Sequence, residues 1–74
     1  MTESDIKFMA EALAADLAVF LSKDFGMDLS SALDTLYNSD TYAKLTDARS
    51  GLYFQSPGYV YSFLKQEMAT GKMS

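Results

Sequence analysis

Residues 4–26 read SDIKFMAEALAADLAVFLSKDFG. Within this stretch Ile6, Met9, Leu13, Leu17 and Phe20 recur at the 3.6-residue spacing of a helix with one buried face. Ser4 can cap the first turn, and Asp5 sits at the positive end of the helix dipole. Gly26 supplies the left-handed residue at which such a helix stops. The spacing therefore predicts a helix over 4–24, long enough to decide the fold class by itself. Around it the chain reads as one all-α domain over 1–74. The architecture expected is a small bundle of about four helices, two long terminal ones and two short central ones.

The same stretch carries more apolar surface than one core stripe requires. Phe8, Ala12 and Val19 fall about a third of a turn from the first set, with Asp16 in the gap. Two readings stand for this second stripe. It is a contact face for a partner or a second copy, or it is covered by the last helix and the 52–55 segment. Ala10, Ala14 and Ala18 form a small-residue ridge, suited to close helix approach or simply to an exposed helix surface. Asp16 is read as a helix-edge carboxylate, or as the partner of a tyrosine hydroxyl or Arg49.

Onward from Gly26, Asp28 can cap a second helix that ends near Asn38, with Leu29, Ala32, Leu33 and Leu36 as its buried stripe. Ser39 then caps a short helix over 40–45. Residues 46–51 read as a turn, with Gly51 supplying the permissive backbone. Residues 52–55, Leu-Tyr-Phe-Gln, have β-type side chains but are too few for a sheet, so an extended segment laid across the helices is expected. Ser56-Pro57 is a helix start, with Ser at the N-cap and Pro at the first helical position. A helix over 57–70 follows, with Val60, Phe63, Leu64 and Met68 as its core stripe and Gly71 as its stop.

Composition narrows the chemistry. A chain of 74 residues is one domain and buries only about 60% of the surface its unfolded form exposes, so each large apolar residue counts. There is no cysteine and no histidine, which removes disulfides, thiolate chemistry and sites for soft metals. The acids do not follow the alternation of a calcium loop, and the four glycines are isolated rather than gathered into a phosphate loop. No nucleophile, base and orienting group stand together, so no catalytic residue, cofactor or metal is expected and the chain is not read as an enzyme. The net charge is −4, and the six basic residues, Lys72 among them, are scattered. That opposes nucleic-acid binding, which needs a basic patch. The acidic start, Thr2 to Asp5, lacks the basic region of a secretory signal. The longest apolar run, residues 17–21, is far short of the ~20 residues of a membrane span. A cytoplasmic protein that does not engage membranes is expected.

The aromatic stretch is the most distinctive feature: Tyr53, Phe54, Tyr59, Tyr61 and Phe63, with Tyr37 and Tyr42 upstream. Tyrosine has a large apolar body and a polar tip, which suits the rim of a core and protein interfaces alike. Tyr53, Phe54, Tyr59 and Tyr61, together with Phe8, Ala12 and Val19, are the expected partner-binding residues. The competing reading is a small core that uses rings to gain area per residue.

The runs Leu33-Asp34-Thr35-Leu36-Tyr37-Asn38-Ser39, Tyr42-Ala43-Lys44-Leu45, Gly51-Leu52-Tyr53 and Tyr59-Val60-Tyr61-Ser62-Phe63-Leu64 resemble short bacterial helical proteins of unknown function. Some of those are encoded beside toxin-like genes. The resemblance spans residues 28–67 and carries no catalytic residue over. It implies a small accessory or antitoxin-like binding protein whose partner is another protein, such as the toxin-like neighbour. Two further functions remain open. One is a homodimer or larger self-assembly, through Phe8, Ala12 and Val19 or through the tyrosine flank. The other is a helix-turn-helix-like DNA-binding regulator built from 28–38 and 40–45, whose reading helix would offer Thr41, Tyr42 and Lys44.

Overall fold

A computed structural model describes residues 3–71; Thr2 and Lys72, named above, lie outside them. Four α-helices follow one another: α1 (Glu3–Phe25), α2 (Leu29–Tyr37), α3 (Asp40–Leu45) and α4 (Pro57–Thr70). Two single-turn 3-10 helices, Ala48–Ser50 and Leu52–Phe54, join α3 to α4. No strand occurs among the described residues, so the architecture is a small all-α bundle.

The starts of α2, α3 and α4 are each set by a short side chain that binds the otherwise unpaired N–H groups of the first turn. The Asp28 carboxylate accepts from the Ser31 N–H at 2.8 Å. The Ser39 hydroxyl accepts from the Tyr42 N–H at 3.0 Å, and the Ser56 hydroxyl from the Tyr59 N–H at 3.3 Å. Helix α1 breaks at Gly26, whose φ of 65° is costly for any residue with a Cβ. The Ser22 hydroxyl then donates to the Met27 carbonyl at 2.7 Å and ties the connection back onto α1. Ser4 lies inside α1, one residue after its start, so it is not the N-cap that the sequence suggested.

The 52–55 segment also differs from expectation. Residues Leu52–Phe54 wind into a 3-10 turn, and only Gln55 is extended. Four residues with no partner strand would leave their backbone groups unpaired. The turn satisfies them locally: the Phe54 N–H donates to the Gly51 carbonyl at 3.2 Å, the Gln55 N–H to the Leu52 carbonyl at 3.0 Å and the Leu52 N–H to the Ser50 hydroxyl at 3.2 Å. Gly51, at φ 70°, is the left-handed joint between the two 3-10 turns.

The core draws on every helix. Helix α1 supplies Ala10, Leu13, Ala14, Leu17, Ala18 and Leu21, α2 supplies Ala32 and Leu36, and α3 supplies Leu45. The second 3-10 turn adds Leu52 and Tyr53, and α4 adds Val60, Tyr61 and Leu64. The alanine ridge of α1 is therefore interior, and its lack of bulk lets the neighbouring backbones approach. At 100° per residue the buried face of α1, from Met9 round to Ala18, spans roughly half the helix circumference. Met9 and Phe20 pack at its edge and Ile6 at its N-terminal end, each only partly buried. Two expected core residues are exposed instead. Leu29 opens α2 and Met68 lies in the last turns of α4, so each sits where its stripe runs past the elements it packs on.

One long-range interaction fastens α3 to α4. The Glu67 carboxylate, near the end of α4, accepts from the Asp40 N–H at 2.7 Å, the Thr41 N–H at 2.9 Å and the Thr41 hydroxyl at 2.7 Å. With Ser39 on Tyr42, every free N–H of the first turn of α3 has a partner. Thr41 is fully buried, the one polar residue in the core among those described. Burial by itself raises the Glu67 carboxyl, but the three hydrogen bonds outweigh it and hold the group below the usual glutamate range.

A carboxyl depressed in the folded state stabilises the fold above its unfolded pKa, and that contribution is lost as pH falls through the folded value. Replacing Glu67 with Ala is expected to cost about 1–3 kcal/mol near neutral pH, because buried donors lose their acceptor. In urea-unfolding measurements across pH, the gap between wild type and the variant should close as pH falls below the ordinary glutamate range. A gap that stays constant with pH would contradict this role.

Candidate partner-binding surfaces

On α1, Phe8, Ala12 and Val19 are all exposed, and Phe8 retains 73% of its accessible surface. They lie a third of a turn from the stripe of Ile6, Leu13 and Phe20, and because the alanine ridge shifts the core face toward Leu17 and Ala10, about half a turn from its centre. Ala15 lies on the same outer face and is exposed too. The outer face of α1 is thus an apolar stripe that no described part of the chain covers. Neither α4 nor the 52–54 turn reaches it, because both pack on the opposite side of the helix.

The aromatic residues divide between surface and interior. Phe54 is 60% exposed and stacks on Tyr53 with ring centroids 4.4 Å apart. Tyr59 is half-exposed and meets the half-buried Phe63 edge-on at 5.2 Å. Phe54 and Tyr59 are therefore each braced by a more deeply buried ring. Tyr53 and Tyr61, expected at the surface, are buried and not available as anchors. Tyr53 belongs to the turn that closes over the core. Tyr61 shares the inner face of α4 with Val60 and Leu64.

Tyr61 shows why its burial is tolerated. Its hydroxyl donates to an Asp24 carboxylate oxygen at 2.7 Å and lies 3.3 Å from the Phe20 carbonyl. Its ring packs against Phe20 at 5.0 Å. Burial, then the Asp24 hydrogen bond and charge, push the phenol well above its ordinary pKa. The carboxylate–tyrosine pair anticipated for Asp16 is thus made by Asp24, and Asp16 is exposed. Arg49 is engaged elsewhere, in a surface ion pair with Asp47 at 3.1 Å. A signal for this was present in the sequence. Asp24 follows Leu17 by two helical turns and so lies on the core face, whereas Asp16 lies at its edge.

An open cleft of about 480 Å³ lies between the start of α1 and the end of α3, lined by Ile6, Lys7, Tyr42, Thr46, Asp47 and Ala48. Its polar groups do not converge. The Asp47 oxygens are taken by the backbone N–H and guanidinium of Arg49. Tyr42 stacks edge-on with Tyr37 at 5.0 Å, and burial, Tyr37 and Glu11 all raise its hydroxyl pKa. No group of three or more metal-ligating side chains occurs among the described residues. The helix-turn-helix pair is poorly presented for DNA: Thr41 is buried, and the Glu67 carboxylate covers the first turn of the would-be reading helix. No described helix is long and apolar enough to cross a membrane. In comparisons with known proteins, the chain matches no family model, no curated protein and no solved structure.

The Tyr61–Asp24 bond is expected to contribute about 0.5–1.5 kcal/mol, lost in Tyr61→Phe at neutral pH. A phenol raised in the folded state stabilises fully below the unfolded tyrosine pKa, and the contribution fades as pH rises beyond it. Wild type should therefore lose stability above about pH 10, the ordinary tyrosine value, more steeply than the Phe variant. Urea melts paired with ultraviolet titration of the five tyrosines test this. Equal stability and a single shared titration would contradict it.

Proposed function

We propose that this chain is a small non-enzymatic protein–protein interaction module. In this reading it is an antitoxin-like or accessory regulator of a neighbouring gene product, acting in the cytoplasm. The observation that carries the proposal is the outer face of α1, where Phe8, Ala12, Ala15 and Val19 expose an apolar stripe on a helix whose other side is already full. Contiguous exposed apolar surface of this kind is characteristic of binding faces. Phe54 and Tyr59 support the reading, since exposed rings braced by inner rings are pre-ordered and lose little side-chain freedom on contact. In the cleft between the start of α1 and the end of α3 the polar groups do not converge into an acid, base and nucleophile, which suits a binding role.

The test is co-expression of the full chain with the products of its adjacent genes, followed by affinity purification and crosslinking. Phe8→Ser and Tyr59→Ala are run in parallel. Residues that anchor an interface typically cost 2 kcal/mol or more when truncated, about a thirtyfold loss of affinity. A stoichiometric partner should be recovered with wild type and lost with at least one variant, while all three proteins melt alike. Recovery of no partner, or equal recovery with both variants, would overturn the proposal.

A further inference from the structure

Residues 40–50, which comprise α3, the turn after it and the first 3-10 helix, add little to the core. Only Thr41 and Leu45 are buried among them, and Leu45 is their one fully buried apolar side chain of any size. Segments that bury so few apolar groups are the ones that open ahead of global unfolding. Among the described residues no hydrogen bond runs from 40–50 to α1 or α2. Within itself the segment is well tied. The Asp47 N–H donates to the Lys44 carbonyl at 3.1 Å and the Ser50 N–H to the Asp47 carbonyl at 3.0 Å. The Ser50 hydroxyl reaches the Lys44 and Asp47 carbonyls, and Arg49 holds both Asp47 oxygens. Such a segment moves as one body.

Its two ends are hinges by backbone geometry. Ser39, at φ −87° and ψ 154°, is a single extended residue between two helices. Gly51, at φ 70°, is a left-handed joint with nothing within 4 Å of where a Cβ would stand. Residues at element ends that absorb a change in backbone angle are the usual hinges of a moving part. The Leu52 N–H reaches across the second hinge to the Ser50 hydroxyl at 3.2 Å. The ring contact of Tyr42 with Tyr37 lies beside the first hinge, where displacement is least.

Against this loose attachment stands Glu67. Its carboxylate takes the N–H groups of Asp40 and Thr41 and the Thr41 hydroxyl, the first donors past Ser39. A grip at that place fixes the direction in which α3 leaves the hinge. Toward the start of α1 the segment does not close. The cleft separates the two, with Tyr42, Thr46, Asp47 and Ala48 on one wall and Ile6 and Lys7 on the other.

We propose that residues 40–50 are a hinged jaw over this cleft, latched by Glu67, and that the jaw opens as a unit while α1, α2 and α4 stay folded. Opening carries the α3 wall away from Ile6 and Lys7 and uncovers Leu45. The latch therefore governs both the width of the cleft and access to the core beneath α3.

Amide hydrogen exchange on the full chain, followed residue by residue by NMR at low urea concentrations, tests it. After correction for intrinsic rates, the Ala43, Thr46 and Asp47 amides of wild type should exchange at least roughly tenfold faster than those of Leu17, Ala18 and Leu21. Their exchange should also depend less on urea, because opening the jaw exposes less surface than unfolding. In Glu67→Gln the side chain keeps its size, but its amide nitrogen accepts no hydrogen bond, and the α3 amides should exchange roughly tenfold faster than in wild type. Tyr61→Phe weakens the tie between α4 and α1, so it should speed the α1 amides and leave the α3 amides unchanged. Equal rates and equal urea dependence in α3 and α1 overturn the proposal, since the segment then leaves only with global unfolding. So do α3 amides that ignore Glu67→Gln, or that quicken in Tyr61→Phe as much as those of α1.

Discussion

The structure depends on one constraint: a single helix, α1, must serve as the floor for everything else. It packs with α2, with α4 and with the Leu52–Phe54 turn. A 74-residue chain has too little interior to offer a second such platform. The floor has to be broad, and Ala10, Ala14 and Ala18 make it so by letting neighbours close onto a helix surface that larger residues would hold away. The leucines between them supply the buried apolar volume. Once that face is filled, the far side of α1 meets none of the other described elements. The apolar residues there are surplus to folding, and the functional reading follows from that surplus.

The remaining elements are held to the floor by a few polar contacts placed where apolar packing is thin. Helix α3 has six residues, too short to be stable by itself. It persists because Ser39 and Glu67 together satisfy its first turn, one from the adjacent residue and one from the far end of α4. Tyr61 does a similar task between α4 and α1, with its ring in the core and its hydroxyl on Asp24 at the rim. Both contacts join segments distant in sequence, and both put a carboxylate at the edge of the core, where solvent offsets part of its desolvation. None of the buried side-chain polar atoms among the described residues is left without a partner.

Local features were legible from the sequence and distant ones were not. Asp28, Ser39 and Ser56-Pro57 mark helix starts correctly because a cap bonds to N–H groups two or three residues away. Most of the core stripes follow from periodicity for the same reason. The Glu67 clamp spans 26 to 27 residues and has no sequence signature; a glutamate near a helix end reads as solvated surface. At Leu52–Phe54 side-chain type suggests an extended segment, while the need to pair backbone groups locally produces a 3-10 turn. For the surface, Phe8, Ala12, Val19, Phe54 and Tyr59 lie outside as expected, whereas Tyr53 and Tyr61 lie inside. Tyrosine suits both places, so composition could not separate them; the direction each residue takes from its turn or helix could.

Helix α1 has a full inner face and a spare outer one. Leucine substituted for alanine on each face tests that claim most directly, because Leu is nearly as good a helix former as Ala and the difference reports packing. Ala14→Leu would force bulk into the closed side and is predicted to lose about 1–3 kcal/mol in urea unfolding. Ala12→Leu, on the open side, is predicted to stay within ~0.5 kcal/mol of wild type. Equal effects at the two positions, or a loss confined to Ala12, would contradict the account.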